Sequence, residues 1–484
     1  MSEVEFQFET LITERMTRFK YLLDNANFDF KQYQYDGVKW CLENELRPNL
    51  PMYHIRGGFI ADEMGLGKTI TIIGLMFTNF LPHTLIVVPP VLIKQWYNEI
   101  YKASGHKAFL YYGDNKKKCT QNDVNNAPIV LTTYNALINN NCILKNINWN
   151  RVVFDEAHHL RNSNNQRFNA CKQIKARVHW IVTGTPIQNK RKDFYNLCNI
   201  AGMNSVFYKN PTNVRVIGRN FVLRRTKASV NIMLPPLNIN KCTVNWSNEN
   251  EMLLAEEIHS LIPKQTFVSS SKKRKIAECF GKKGGSIVAL LRARQTCILP
   301  SLMTNKLKEF SQMFHINLDA LNYTSKLDAV IEIILNRKDN GKGKIIFCHY
   351  KKEIDVIAER LFKGGMQKIV KYDGRNSGGK SLEKIGEYAD ALIMQIQSGC
   401  EGLNLQKNFS EIYFISPHWN PYVEDQAIAR CHRIGQEHPV DVFKFEMSGF
   451  VKDTHTELPS PISMETYVSK VQNDKKHISR QILG

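Results

Sequence analysis

The sequence predicts an α/β fold built from two parallel-sheet lobes. Short apolar runs alternate with longer stretches of helical periodicity, and they do so in two separate blocks of the chain. Continuous apolar strands separated by helices are typical of parallel sheets that helices cover on both faces. A chain of 484 residues is long enough for two such units.

The strand candidates define the two blocks. In the first block they are residues 58–61, 84–88, 129–132, 151–155 and 180–183. In the second block they are residues 344–349, 391–395, 411–416 and 440–445. The alternation within each block favours strand–helix–strand units over an antiparallel meander.

The region between the blocks is predicted to be a mainly helical insertion with a polar, basic stretch. That stretch contains residues 272–275 (Lys-Lys-Arg-Lys) and the Gly/Lys segment 281–285. A basic cluster of this kind fits a nuclear-localisation patch or a DNA contact, and a solvated linker fits equally well. We therefore divide the chain into an N-terminal extension (1–27), a first lobe (28–236), an inter-lobe region (237–320) and a second lobe (321–484).

Composition narrows the class of partner. The chain carries 65 Lys+Arg and 45 Asp+Glu, a formal net charge of +20. A surplus of this size favours a polyanion such as nucleic acid, although a generally basic surface that keeps the protein soluble stays open. The 11 cysteines are scattered singly, which argues against a zinc site or a disulfide framework. With no signal-peptide pattern or long apolar run, we expect a soluble protein of a reducing intracellular compartment.

A phosphate-binding loop is predicted between the first strand candidate and the helix that follows it. Its residues are Asp62, Glu63, Met64, Gly65, Leu66, Gly67, Lys68 and Thr69. Glycines let backbone N–H groups approach phosphate oxygens, while a Lys reaches the β- and γ-phosphates and a Thr hydroxyl binds Mg²⁺. Asp62 stands where the general pattern has its first glycine. A Gly-Lys-Thr tripeptide alone is often only a turn, but its place between a strand and a helix favours nucleotide binding.

Two adjacent carboxylates follow another buried strand. Asp155 and Glu156 would be costly at that position unless a metal ion or a proton-transfer role compensates for their burial. We predict that Asp155 supports Mg²⁺ and that Glu156 orients and deprotonates the attacking water. A strand that ends in a solvated acidic turn is the alternative. The turn at residues 183–186 is predicted to be mainly structural, with hydroxyls that could sense the γ-phosphate or DNA.

A second set of candidate ATP-site residues lies near the C-terminus. Gln426, Arg430 and Arg433 fall at i, i+4 and i+7, the spacing of one helical stripe. As arginine fingers the two cations would stabilise the charge that develops on the γ-phosphate, an effect worth roughly 10³–10⁵ in rate. A solvated helix face is the alternative. An ATP site divided between two distant segments would couple hydrolysis to movement of a cleft.

Further segments of the chain match motifs that occur together, in the same order, in one protein family. They are Tyr33, Gln34, Gly37, Val38 and Trp40; Val88, Pro89, Gln95, Trp96 and Glu99; residues 155–158; Phe221, Arg224, Arg225, Lys227 and residues 234–236; Arg294, Gln295, Cys297 and Pro300; Gly399 and residues 402–405; residues 419–421; and residues 433–436. From about residue 28 to the end, the chain resembles the Snf2 family of ATPases in helicase superfamily 2. The departures are Cys400, Cys431, His159, Thr296 and Leu299, and none of them removes a catalytic group.

The resemblance implies two RecA-like lobes and a DNA-dependent ATPase that uses ATP and Mg²⁺. It implies that Gln34 reads adenine and that double-stranded DNA is the partner, with nucleosomes or the transcription machinery as further candidates in the nucleus. The short flanks resemble the compact members of the family that large DNA viruses encode, the baculovirus global transactivators. Translocation on duplex DNA that remodels protein–DNA complexes is the function this implies. An ATP-switched binding scaffold and a strand-separating helicase stay open as alternatives.

Overall fold

The computed structural model describes residues 3–47, 55–187, 191–259, 262, 285–305, 307, 318–375, 389–396, 403–450 and 462–483. The chain divides into two compact units, Met1–Met233 with Lys475–Gly484, and Leu234–Asp474. Each unit is built on its own sheet. Among the described residues, no helix combines the length and the apolar character needed to cross a membrane.

The first unit contains a parallel sheet. Its strands are β1 (Gly57–Ile60), β2 (Thr84–Val88), β3 (Phe109–Tyr111), β4 (Ile129–Thr133), β5 (Asn148–Asp155), β6 (Lys175–Val182) and β7 (Val222–Leu223), in the order β3-β4-β2-β5-β6-β1-β7. The five strands predicted for this block all form, and their central residues are buried on both faces. The edge strands β3 and β7 were missed because they are too short for a continuous apolar run.

Helices cover both faces of this sheet. They are α1 (Glu3–Ala26), α2 (Gln32–Leu46), α3 (Lys68–Thr78), α4 (Ile93–Ser104), α5 (Asn115–Lys118), α6 (Gln121–Asn125), α7 (Tyr134–Ile138), α8 (Gln166–Lys172), α9 (Arg191–Ile200), α10 (Ser205–Lys209) and α11 (Pro211–Phe221). Residues 1–27, set apart in the sequence as an extension, supply α1 to this unit. Phe19 of α1 is fully buried, and a Cβ on Gly74 of α3 would lie only 2.5 Å from its ring. Because α1 packs this closely on α3, it belongs to the core that supports the phosphate loop.

The second unit contains another parallel sheet. Its strands are β8 (Leu237–Val244), β9 (Gly343–Cys348), β10 (Ile369–Tyr372), β11 (Ala391–Gln395), β12 (Phe409–Phe414) and β13 (Val440–Met447), in the order β10-β11-β9-β12-β13-β8. Its helices are α12 (Glu249–His259), α13 (Gly285–Ile298), α14 (Ser325–Leu335), α15 (Lys351–Lys363), α16 (Pro421–Ile428) and α17 (Met464–Leu483), the last of which continues into the first unit. The predicted α/β class with two parallel sheets is confirmed.

The expectation that residues 237–320 are mainly helical is wrong at their start. Residues 237–244 form β8, which pairs in parallel with β13 from Leu237↔Val440 to Val244↔Met447. The sequence pattern did not predict this strand, because it is an edge strand with an alternating polar sequence and mostly exposed side chains. The basic stretch 272–275 and residues 281–284 lie outside the described residues.

Candidate nucleotide-binding site

Two predicted site segments and the turn at residues 183–186 meet at one edge of the first sheet. The phosphate loop follows β1. Asp155 is the last residue of β5 and Glu156 comes directly after it, while the turn at residues 183–186 follows β6. These strands are neighbours in the order β5-β6-β1 and they run parallel. The carboxyl ends of parallel strands lie at the same sheet edge, which is where α/β proteins bind ligands. The fold therefore brings together three segments that are well separated in sequence.

The phosphate loop has the backbone geometry of an anion cradle. Gly65 has φ 93° and Gly67 has φ 78°, both in the left-handed region that favours glycine. Gly67 is the N-cap of α3, so the first N–H groups of this helix face the loop. A Cβ on Gly67 would lie 2.5 Å from Nε2 of Gln34. The predicted adenine-reading side chain thus lies directly against the loop, and a side chain at position 67 would displace it.

Lys68 lies between the loop and the turn after β6. Its ammonium donates a hydrogen bond to the backbone carbonyl of Asp62 at 3.0 Å. A Cβ on Gly184 would lie 3.4 Å from the same ammonium and 3.4 Å from the side chain of Met64. The turn after β6 therefore contacts the part of the loop from which Lys68 would reach a phosphate. A Cβ at position 184 would make ordinary van der Waals contact with both side chains.

Asp155 is a buried carboxylate with an assigned partner for each oxygen. Oδ2 accepts a hydrogen bond of 2.7 Å from the indole of Trp96, and Oδ1 accepts one of 2.9 Å from the backbone N–H of Glu156. Burial, and then the charge of Glu156, raise the pKa of Asp155 to about 7, while the Trp96 bond and Lys68 act in the opposite direction. A bound divalent cation would favour the ionised carboxylate. The arrangement fits a group that holds Mg²⁺.

Glu156 adopts an unusual backbone conformation at the end of β5. Its φ of 48° is rare for a residue with a Cβ, and such conformations cluster at functional sites. Its side chain is only 12% exposed, and its Oε2 lies 3.1 Å from Nδ1 of His158. The hydroxyl of Tyr134 donates a hydrogen bond of 2.5 Å to the backbone carbonyl of Asp155 and so helps to fix the turn. A solvated acidic turn, the alternative interpretation, is wrong because both carboxylates are largely buried.

The residues of this unit fit MgATP as substrate. The positive-φ glycines and the start of α3 suit phosphates, Lys68 supplies a cation, and Thr69 and Asp155 supply the oxygen donors that Mg²⁺ prefers. The parts of Glu63, Met64 and Leu66 in nucleotide binding stay predictions.

Gln426, Arg430 and Arg433 belong to the second unit, and the single helical stripe predicted for them is wrong. Helix α16 ends at Ile428, so Gln426 is helical and buried at 5% exposure while both arginines lie in the turns that follow. Beyond the helix the amide of Arg430 donates to the carbonyl of Ala427, a three-residue spacing that is common at helix ends.

The two arginines still lie close together. The Arg433 guanidinium donates to the side-chain oxygen of Asn404, and the amide of Leu405 donates to the carbonyl of Arg430 at 3.1 Å. Burial and the nearby charge of Arg430 lower the pKa of Arg433. The motif that contains Asn404 is thus joined to the arginines, while Gly399, Cys400 and Gly402 lie outside the described residues. The role of the arginines at ATP stays a prediction.

Sequence reasoning missed two residues that hold the site together. Trp96 fixes Asp155, and the guanidinium of Arg225 binds the carboxylate of Asp62. Both had been noted only as members of family-like segments. The Trp96 contact depends on the adjacency of β2 and β5, which the tertiary structure shows: α4 follows β2 and covers the end of β5. No local pattern predicts the contact of Arg225 with a loop 163 positions earlier.

Comparison with protein families supplies the class. The model of the SNF2-related domain matches residues 33–302, and the model of the helicase conserved C-terminal domain matches residues 325–435. The first match covers more than half of the chain, so the chain belongs to the SNF2-related family. The predicted enzyme class, a DNA-dependent ATPase of helicase superfamily 2, is confirmed as the class to which this family belongs.

Individual relatives are distant in sequence, but they align over most of this chain. A probable global transactivator of Orgyia pseudotsugata multicapsid polyhedrosis virus is 28% identical and aligns over 85% of this chain and 85% of its own length. An uncharacterised ATP-dependent helicase of Mycoplasma genitalium is 28% identical over 96% of this chain and 43% of its own. The ATP-dependent DNA helicase DDM1 of Arabidopsis thaliana is 24% identical over 94% of this chain and 62% of its own. The chain thus spans about half the length of the two cellular relatives, and the predicted likeness to the viral transactivators is confirmed.

A solved structure completes the comparison. The Sulfolobus solfataricus SWI2/SNF2 ATPase core in complex with dsDNA is 24% identical, and the alignment covers 88% of this chain and 89% of that one. Its TM-score of 0.40 is too low to carry an argument.

Proposed function

We propose that this protein is an ATP-dependent double-stranded DNA translocase of the Snf2 type that remodels protein–DNA complexes in transcription regulation. The observation that carries the proposal is the grouping of a phosphate loop, a lysine and two largely buried carboxylates at one sheet edge. Lys68, Asp155 and Glu156 occupy neighbouring positions there, and the arginine pair lies in a separate unit of the same chain. A protein that only binds nucleic acid has no need of a buried, oriented carboxylate pair beside a phosphate loop.

Each residue has a distinct part in hydrolysis. The loop amides and Lys68 bind the phosphates, and Thr69 and Asp155 hold the Mg²⁺ that neutralises charge on the phosphoryl group. Glu156 orients the attacking water and accepts its proton, and His158 lies near enough to take part in that proton's path. Gln34 recognises the adenine from its position against Gly67. Arg430 and Arg433 stabilise the developing γ-phosphate charge from the second unit.

The charge of the chain supports DNA as the polyanion. A formal net charge of +20 gives a basic surface that binds phosphates by counterion release. Contacts of this kind position a protein on the duplex without reading the bases. We therefore expect binding that weakens steeply with salt and depends little on sequence. The viral relative's description as a global transactivator supports a role in transcription and a place in the nucleus, and remodelling at nucleosomes or the transcription machinery follows as part of the proposal.

One observation keeps strand separation as a second candidate. Two of the relatives are described as ATP-dependent helicases, and the residues of the ATP site are the same for translocation and unwinding. The ATP-switched scaffold is disfavoured because Glu156 and both arginines are present. The test must therefore separate three outcomes.

The experiment is steady-state ATPase of the parent protein and of Glu156→Gln, with and without duplex DNA, at two salt concentrations. Glu14→Gln, at an exposed glutamate of α1, is the matched control. Duplex stimulation that is lost only in Glu156→Gln, and that falls at high salt, supports the motor. Hydrolysis that ignores DNA, or that is absent from all three proteins, overturns the proposal in favour of the scaffold.

A second assay separates translocation from unwinding. Displacement of a third strand from a triplex, without separation of a short forked duplex, is the expected result. Strand separation on the fork without triplex displacement would instead establish a helicase.

A further inference from the structure

Arg225 occupies an unusual position in the first unit. It follows β7, and its guanidinium is only 14% exposed. The guanidinium donates to both carboxylate oxygens of Asp62 and to the backbone carbonyl of Tyr33, and its carbon lies 5.7 Å from the centre of the Tyr33 ring. Its backbone N–H also donates to Asp62, at 3.0 Å. One side chain therefore joins the strand after which the phosphate loop begins to the start of helix α2.

Neighbouring contacts hold this segment in register with the loop. The amide of Ala61 donates to the carbonyl of Leu223 at 2.7 Å, and the amide of Glu63 donates to the carbonyl of Arg225 at 2.8 Å. On the far side, the amide of Lys227 donates to the Glu63 carboxylate at 2.8 Å. The loop entrance thus lies against a second chain segment along its whole length, and Arg225 is the central contact.

Asp62 presents an electrostatic problem that Arg225 solves. The Asp62 carboxylate is fully buried, and it belongs to a loop whose purpose is to attract phosphates. An uncompensated buried carboxylate would repel those phosphates and would itself be costly. The paired guanidinium neutralises it. Breaking such a pair by removing one partner leaves a buried charge, whereas replacing both partners removes the charge altogether.

The geometry requires a guanidinium and not simply a positive charge. The fork binds both oxygens of Asp62 while its other nitrogen reaches Tyr33, an arrangement that the single ammonium of lysine does not reproduce. Gly37 leaves room for it, since a Cβ there would lie 2.7 Å from Nη2 of Arg225. Tyr33 immediately precedes Gln34, whose amide contacts the loop at Gly67. Both ends of the nucleotide site therefore depend on the position of Arg225.

We infer that Arg225 is a positioning residue for ATP that fixes the distance between Gln34 and the phosphate loop and neutralises the Asp62 carboxylate. The inference rests on the proposed use of this site for ATP. Arg225 acts through Asp62 and Tyr33, so its loss weakens nucleotide binding more than it slows the chemical step.

Direct binding of a fluorescent ATP analogue tests this, with Arg225→Gln, Asp62→Asn and the double variant. Arg225→Gln is expected to raise Kd by roughly tenfold or more, because it leaves Asp62 buried and unpaired. The double variant is expected to regain most of the parental affinity, since two neutral amides can hydrogen-bond in place of the ion pair. Arg215→Gln, at an exposed arginine of α11, is the control and should bind as the parent does.

Steady-state kinetics provide the readout that separates positioning from a merely structural loss. KM for ATP is expected to rise in Arg225→Gln with a much smaller fall in kcat per folded molecule, and thermal melting reports the folded fraction. Parental Kd in Arg225→Gln, or a double variant no better than the single one, would overturn the inference. A parent protein that fails to bind the analogue would instead refute the proposed function, so the two failures are distinguishable.

Discussion

Trp96→Phe tests whether the buried indole prepares Asp155 for Mg²⁺. Trp96 is 1% exposed, and its indole N–H donates to Oδ2 of Asp155 at 2.7 Å. Phenylalanine keeps most of the aromatic packing but removes the donor. Oδ2 then loses its partner in a site that is too buried for water to replace it freely.

The size of the effect follows from the charge of the acceptor. A hydrogen bond to an ionised group contributes about 1.5–3 kcal/mol, which corresponds to a factor of roughly 10–150. If Asp155 supports Mg²⁺, this factor should divide between a higher Mg²⁺ requirement and a lower kcat. A general loss of folding would produce neither pattern in the surviving folded protein.

The assay is duplex-stimulated ATPase titrated with Mg²⁺, alongside thermal melting. Trp149→Phe is a matched control, since Trp149 is 2% exposed and its indole donates to the carbonyl of Leu144 at 3.0 Å, at the opposite end of β5. The control should lose about 1 kcal/mol of stability without a change in Mg²⁺ dependence. Equal Mg²⁺ dependence and equal kcat in Trp96→Phe and the parent would refute the reasoning.

Three further changes test other parts of the molecule. Arg433→Ala should leave binding of a fluorescent ATP analogue nearly intact and sharply reduce turnover, because an arginine finger acts on charge that develops during the reaction. Gly67→Ala should weaken binding of the same analogue, because its φ of 78° costs alanine about 1–2 kcal/mol and the new Cβ would lie 2.5 Å from Nε2 of Gln34. His259→Gln should flatten the acid dependence of stability, because burial lowers the folded-state pKa of His259 from 6.5 to about 4. The unfolded chain then binds the extra proton, so this stability is present above pH 6.5 and is lost as the pH falls, by about 2 kcal/mol at pH 5 in denaturant unfolding.

Each of these three predictions has an outcome that would contradict it, and two of them have a control variant. Gly105→Ala has a similar positive φ of 69° with nothing within 4 Å of the new Cβ, so it should be strained without a change in ATP binding. An equal loss of binding in both glycine variants would contradict the steric argument. His438→Gln, at an exposed histidine, should keep the parental pH dependence, and a His259→Gln curve that matches it would show the buried imidazole to be irrelevant. Lost nucleotide binding in Arg433→Ala would point to a structural role.

Elements with a distinctive local sequence pattern were predicted correctly, and elements without one were missed. Buried central strands such as β2 and β11 were located to the residue, because a strand covered on both faces must be continuously apolar and therefore stands out. The edge strand β8 was missed, since one open side lets it carry an alternating polar sequence. The arginine stripe was wrong because spacing alone does not show that α16 ends at Ile428.

The amino-acid sequence by itself determined the candidate chemistry, because the glycines, Lys68 and the two carboxylates form local motifs of residue types that suit phosphate and Mg²⁺. Only the tertiary structure decided which residues hold that chemistry in place. Trp96 meets Asp155 across 59 positions, and Arg225 meets Asp62 across 163. Such contacts leave no local signature because they depend on strand order, which brings distant segments to one edge of the sheet. The motifs can therefore be recognised in the sequence, whereas the residues that position them are recognised only in the tertiary structure.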